Sequence, residues 1–83
     1  MEKVNEKDLR NGKEFYFDNE KHQTEIESDD IRTASVLFNK DYGFHIWFNG
    51  SLISSTKTFK PMENRLNKLI KKWNLTQVES DNI

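Results

Sequence analysis

The hydrophobic pattern changes period along the chain, and each change marks an element. Phe44-His45-Ile46-Trp47-Phe48 and Ser51-Leu52-Ile53-Ser54-Ser55 flank Asn49-Gly50. That dipeptide tolerates positive φ and suits a type I′ hairpin turn. A two-residue loop sets Phe48 opposite Ser51, Trp47 opposite Leu52, Ile46 opposite Ile53 and His45 opposite Ser54, and opposed residues share a face. Upstream, a five-residue loop over Asn39–Gly43 would set Phe38 opposite Phe44, Val36 opposite Ile46 and Ala34 opposite Phe48. All six then lie on one face, an agreement that a one-residue slip would destroy. Beyond Pro61 the period becomes helical. Met62, Leu66, Leu69, Ile70 and Trp73 form one stripe, with Glu63 near its start and Lys68, Lys71 and Lys72 near its end, in keeping with the helix dipole. The stripe is expected to cover Val36, Phe38, Phe44, Ile46, Phe48 and Ile53. The opposite sheet face would carry Thr33, Ser35, Leu37, His45, Trp47, Leu52, Ser54, Thr56 and Thr58.

Two segments are less sharply patterned. Residues 28–38 read either as a helix capped by Ser28, with Ile31, Ala34, Leu37 and Phe38 on one face, or as the strand just described. The strand prevails because its register agrees with distant residues, whereas the helical pattern is local. Phe15-Tyr16-Phe17 and Gln23-Thr24-Glu25-Ile26-Glu27, joined through Asp18-Asn19-Glu20, suggest a further hairpin. The expected fold is one α+β domain over 1–83, a small antiparallel β-sheet of three to five strands packed on one C-terminal amphipathic α-helix. Residues 1–12 are expected to be poorly structured or to make a short helical start ending at Asn11-Gly12. Strands fill 13–59, the helix spans 61–74, and 79–83 form a loose tail.

Composition narrows the function classes. Hydrophobic residues are 34% of the 83 and charged residues 33%, so the core must be small. Ile, Leu, Val and Phe nevertheless supply about a quarter of the chain, enough to fold. No apolar run reaches the roughly 18 residues of a membrane span, and Met1–Lys13 lacks the apolar core of a signal peptide, which points to a cytoplasmic protein. With no cysteine there is neither a disulfide framework nor a thiolate zinc site. The triplets Asn49-Gly50-Ser51 and Asn74-Leu75-Thr76 match a glycosylation pattern but read better as a turn and a helix end.

Catalytic chemistry finds no support in the motifs. His22 sits in a charged turn and His45 on a strand, neither with a metal-ligand spacing around it. His45 could hydrogen-bond Ser54 across the hairpin, but that pair has no third member. Glu25, Glu27, Asp29 and Asp30 crowd carboxylates together without the Asp/Asn alternation and glycine of a calcium loop. They read as an acidic edge that discourages strand pairing between molecules. The hydroxyls of residues 51–58 have no Gly-x-Ser-x-Gly elbow, and Gly12, Gly43 and Gly50 make no phosphate loop. No enzyme, metal or cofactor is expected.

Charge distribution says more than any motif. The near-neutral total of −1 is a cancellation of net −5 over residues 1–30, +6 over 31–78 and −2 over 79–83. Arg65, Lys68 and Lys72 fall within about 60° on one helix flank, with Lys57, Lys60 and Lys71 near in sequence. Strands followed by a basic C-terminal helix resemble, in topology, double-stranded-RNA-binding domains, the arm-binding domains of tyrosine integrases and the single-strand-binding coactivator fold. Ile70-Lys71-Lys72-Trp73-Asn74 departs from the basic run and alanines of the first of these, so no residue roles carry over. Two readings follow. The first is a small non-enzymatic regulator or inhibitor that binds a protein through Trp47, His45, Leu37 and Leu52, or through Glu25, Glu27, Asp29 and Asp30. The second is a nucleic-acid-binding module that uses Lys57, Lys60, Arg65, Lys68, Lys72 and Trp47, against an acidic overall balance. Protein binding ranks first. Membrane association is not expected, and a small core with an exposed Trp47 face is compatible with a dimer.

Overall fold

A computed structural model describes residues 2–20 and 31–79. The elements follow as α1 (Glu6–Arg10), β1 (Phe15–Asp18), β2 (Thr33–Asn39), β3 (Gly43–Phe48), β4 (Ser51–Thr56), α2 (Phe59–Trp73) and β5 (Thr76–Val78). The strands form an antiparallel sheet in the order β4-β3-β2-β1-β5. The α+β architecture read from the pattern is therefore present, with the sheet packed on the C-terminal helix. Residues 33–39 are a strand rather than part of a capped helix.

The β2–β3 register is the expected one, with Ala34 opposite Phe48, Val36 opposite Ile46 and Phe38 opposite Phe44. Pairing extends one step further, to Asn39 and Gly43, so the loop itself is 40–42. The Asn39 side-chain oxygen accepts the Asp41 N–H at 2.8 Å and thereby shapes this turn.

The β3–β4 hairpin departs from expectation. Phe48 faces Ser51 and Trp47 faces Leu52, but Ile46 faces Ser54, not Ile53, and His45 faces Ser55, not Ser54. Ile53 is an extra residue, a β-bulge that keeps its own side chain against the core and reverses the alternation beyond it. Ser54 and Thr56 therefore join the helix side, opposite Ile46 and Phe44, and Ser55 takes the outer side.

The core forms on the helix side of the sheet, where Phe15, Phe17, Ala34, Val36, Phe44 and Ile46 are buried with Leu9, Met62, Leu66 and Leu75. Leu69, Ile70 and Trp73 complete the helix stripe against them. Phe44 packs on Phe38 at 4.8 Å and on Phe59 at 5.7 Å between ring centroids, and the Arg10 guanidinium lies 4.7 Å from the Phe38 ring. Helix α2 begins at Phe59, earlier than the expected residue 61, which leaves Pro61 still in the first turn, where a missing N–H has no intrahelical partner to lose. It stops because Asn74 turns left-handed at φ 54, and the Leu75 N–H closes on the Ile70 carbonyl at 3.0 Å. The chain then reverses into β5, which pairs Tyr16 with Val78 and Asp18 with Thr76. The expected strand over 23–27 lies outside the described residues.

Buried Asn19 fastens helix to sheet. Its amide donates to the Trp73 carbonyl at 3.1 Å and its oxygen accepts the Arg32 N–H at 2.8 Å. At the other end of the chain, the Gln77 side chain holds the Glu2 backbone through bonds of 2.7 and 2.8 Å. No helix of the described residues is long and apolar enough to cross a membrane.

Candidate functional site

The face of the sheet away from α2 carries the candidate site. Strand alternation sends Phe15 and Phe17 into the core and Tyr16 outward, and it does the same with Ile46 and Trp47. Register then aligns Val78, Tyr16, Ser35, Trp47 and Leu52 in one row across all strands. Trp47 is 37% exposed and Leu52 46%, and the two stand opposite each other, so their apolar surface is contiguous. Beside this row run Leu37, His45 and Ser55 on one side, and Thr76, Asp18 and Thr33 on the other.

Between Tyr16 and Trp47 the small Ser35 leaves an open groove of about 590 Å³ along β2. Leu37 stands at one end, and Thr33, Asp18 and Gly50 at the other, with Val78 and Glu79 on the far side of Tyr16. The Tyr16 hydroxyl donates to Glu14 at 2.7 Å, which orients the phenol along the sheet surface. Asp18 accepts the Glu20 N–H at 3.2 Å. Among the described residues, the charged ones that line the groove are the carboxylates Asp18 and Glu79.

The protein-binding candidates Trp47, His45, Leu37 and Leu52 are thus gathered on one face. The segment Phe15-Tyr16-Phe17 is a strand of the same sheet, with Tyr16 across Ser35 from Trp47. Glu25, Glu27, Asp29 and Asp30, and with them His22, lie outside the described residues. His45 makes no pair with Ser54, because the Ile53 bulge moves Ser54 to the other face. Its Nε2 is buried without a hydrogen-bond partner, and Ser55 opposite it donates instead to the Tyr42 carbonyl at 3.2 Å.

The basic candidates are exposed but lie elsewhere. Arg65, Lys68 and Lys72 project from α2, in the layer beneath the sheet, while Trp47 points from its upper surface. Lys60 is paired with Glu63 at 3.1 Å, Lys72 lies 5.6 Å from the Trp73 ring, and Lys57 occupies the link between β4 and α2. The sheet separates the stacking residue from the cations, so the combined nucleic-acid surface expected from the sequence is not assembled. A sequence signal for this existed. The stripe of α2 covers the Val36 face, and Trp47 alternates away from it. Tyr16, Asp18, Val78 and Glu79 were missed because their place beside Trp47 depends on pairings across dozens of residues.

Among the described residues no group of three His, Asp or Glu side chains is placed to hold a metal ion. Lys13 has its pKa raised, chiefly by a hydrogen bond to Glu2. Neither a protein-family model, a curated protein nor a solved structure matches the chain.

Proposed function

We propose that the protein is a small non-enzymatic binding module, a regulator or inhibitor that docks a protein partner on the outer face of its sheet. The observation that carries this reading is the row Val78–Tyr16–Ser35–Trp47–Leu52, an apolar and aromatic strip spanning the sheet with Trp47 and Leu52 exposed. Large aromatic side chains on a rigid strand lose little conformational freedom when covered, which makes them effective anchors at interfaces. Nucleic acid fits this face less well, since the charges in its groove are carboxylates that repel phosphates.

A photo-crosslinking amino acid placed at position 47, and separately at position 68, tests the assignment in the native host. Crosslinks to a protein from position 47, absent from position 68, are expected. Crosslinks to nucleic acid from position 68 alone would overturn the reading in favour of a phosphate-binding helix. A titration with single- and double-stranded oligonucleotides at low salt provides the second measurement. Affinity that falls steeply with salt and vanishes on changing Arg65, Lys68 and Lys72 to Glu would count against protein docking.

A further inference from the structure

We propose that the groove along β2 selects a basic partner segment, with an arginine side chain lying between Tyr16 and Trp47 and its guanidinium directed to Asp18. The inference rests on the docking face proposed above and specifies the chemistry of what it takes. It follows from the order of residues along the groove. Leu37, Ser35 and Thr33 succeed one another on the outer side of β2, about 13 Å from end to end at strand rise. The Leu37 end is apolar, the middle is walled by Tyr16 and Trp47, and the Thr33 end lies beside Asp18. The walls stand on strands to either side of β2, so their backbones are roughly 10 Å apart. That spacing admits a flat or slender group over Ser35, where a larger residue would close the groove.

Charge supplies the selectivity. Asp18 and Glu79 are the charged residues of the lining, and among the described residues neither has an ion-pair partner. A neutral apolar partner would bring these carboxylates into a less hydrated interface without compensation. An arginine directed to the Thr33 end compensates Asp18, and it suits the walls as well. Guanidinium is planar, stacks on aromatic rings and offers a fork of donors to a carboxylate, whereas an ammonium gives only a point charge. A second copy of this chain is a poorer occupant. Its most basic surface is the exposed flank of α2, where Arg65, Lys68 and Lys72 lie on a rigid helix that presents three cations at once to a groove with room for one slender side chain.

The test is a titration of ¹⁵N-labelled protein with the capped peptide Gly-Leu-Gly-Arg-Gly and with the same peptide carrying citrulline, its neutral isostere. The arginine peptide should shift the Trp47 indole N–H and the Thr33, Ser35 and Glu79 amides, with an apparent affinity falling as salt rises. Citrulline should bind about two- to fivefold more weakly, the range for an exposed ion pair. The double variant Asp18→Asn with Glu79→Gln, which keeps shape and backbone, should erase the difference between the peptides. Equal shifts from both peptides, shifts confined to other surfaces, or a concentration-dependent dimer that buries Trp47 would each overturn the inference. Protein crosslinks from position 47 alongside equal peptide shifts would refute the arginine preference while leaving the docking face standing. Absence of both would refute the two together.

Discussion

Gly43 lies so close to β4 that a Cβ added to it would stand 2.1 Å from the carbonyl oxygen of Thr56. Its φ of +95° already excludes most residues, and the approach of a backbone atom excludes the rest. Gly43→Ala is expected to destabilise the fold by more than about 3 kcal/mol, since a strained φ alone accounts for roughly 1–3 and β4 must also move. Gly12 has the same φ with nothing within 4 Å of the added atom, so Gly12→Ala should show only the conformational part. Urea unfolding midpoints of the two variants measure the difference.

The bulge makes an unusual deletion tolerable. Removing Ile53 would leave Trp47 opposite Leu52, Ile46 opposite Ser54 and His45 opposite Ser55, the pairs already present. Stability should fall by about 1–3 kcal/mol, the value of one partly buried aliphatic side chain, with cross-strand Hα–Hα contacts retained by NMR. Deleting Leu52 instead would place Ile53 opposite Trp47 and draw its apolar side chain out of the core, and should unfold the hairpin.

Asn49 and Asn74 are both left-handed, at φ 51 and 54, yet they should respond differently to glycine. The Asn49 side chain accepts the Thr33 N–H at 2.9 Å and its N–H reaches the Thr33 carbonyl at the same distance, stitching the turn to β2. Asn49→Gly keeps the conformation but loses the side-chain bond, a loss of about 1 kcal/mol. Asn74 closes α2 through its left-handed backbone, its N–H bonding to the Ile70 carbonyl, so Asn74→Gly should leave thermal stability unchanged or raise it slightly, and Asn74→Ala should lower it by about 1–2 kcal/mol.

Stability and binding should separate by face. Leu66→Ala opens the core and is expected to lose about 2–5 kcal/mol. Trp47→Thr and Leu52→Thr, β-branched replacements on the outer face, should stay within about 1 kcal/mol of the parent in urea unfolding. If both also leave partner crosslinking from Ser35 unchanged, the docking face is wrongly placed.

Register was readable where two strands of clear alternation met through a short loop, as in the match of Ala34, Val36 and Phe38 to Phe48, Ile46 and Phe44. Ile53 was not, because alternation continues through Leu52-Ile53-Ser54 in the sequence and only packing under α2 decides that an extra residue is accommodated. β5 is too short to carry a period of its own, and its existence follows from the left-handed turn at Asn74 and the burial of Leu75. Within the candidate site, Trp47, Leu37 and Leu52 were legible as one face of a hairpin. Asp18 and Glu79 were not, since they reach that face through pairings of β1 with β2 and β5.

The seam between β1 and β5 sets the order in which the molecule can assemble. From Thr33 to Trp73 each element packs on one near it in the chain, a meander and helix with little loop closure to overcome. β5 must find β1 across 58 residues, as in the Thr76–Asp18 bond, and Gln77 must find Glu2 across 75. Loop-closure cost predicts that these contacts form late, so weakening them should hasten unfolding more than it slows folding. Val78, which borders the groove beyond Tyr16, is therefore expected to be the part of the site that joins last and parts first.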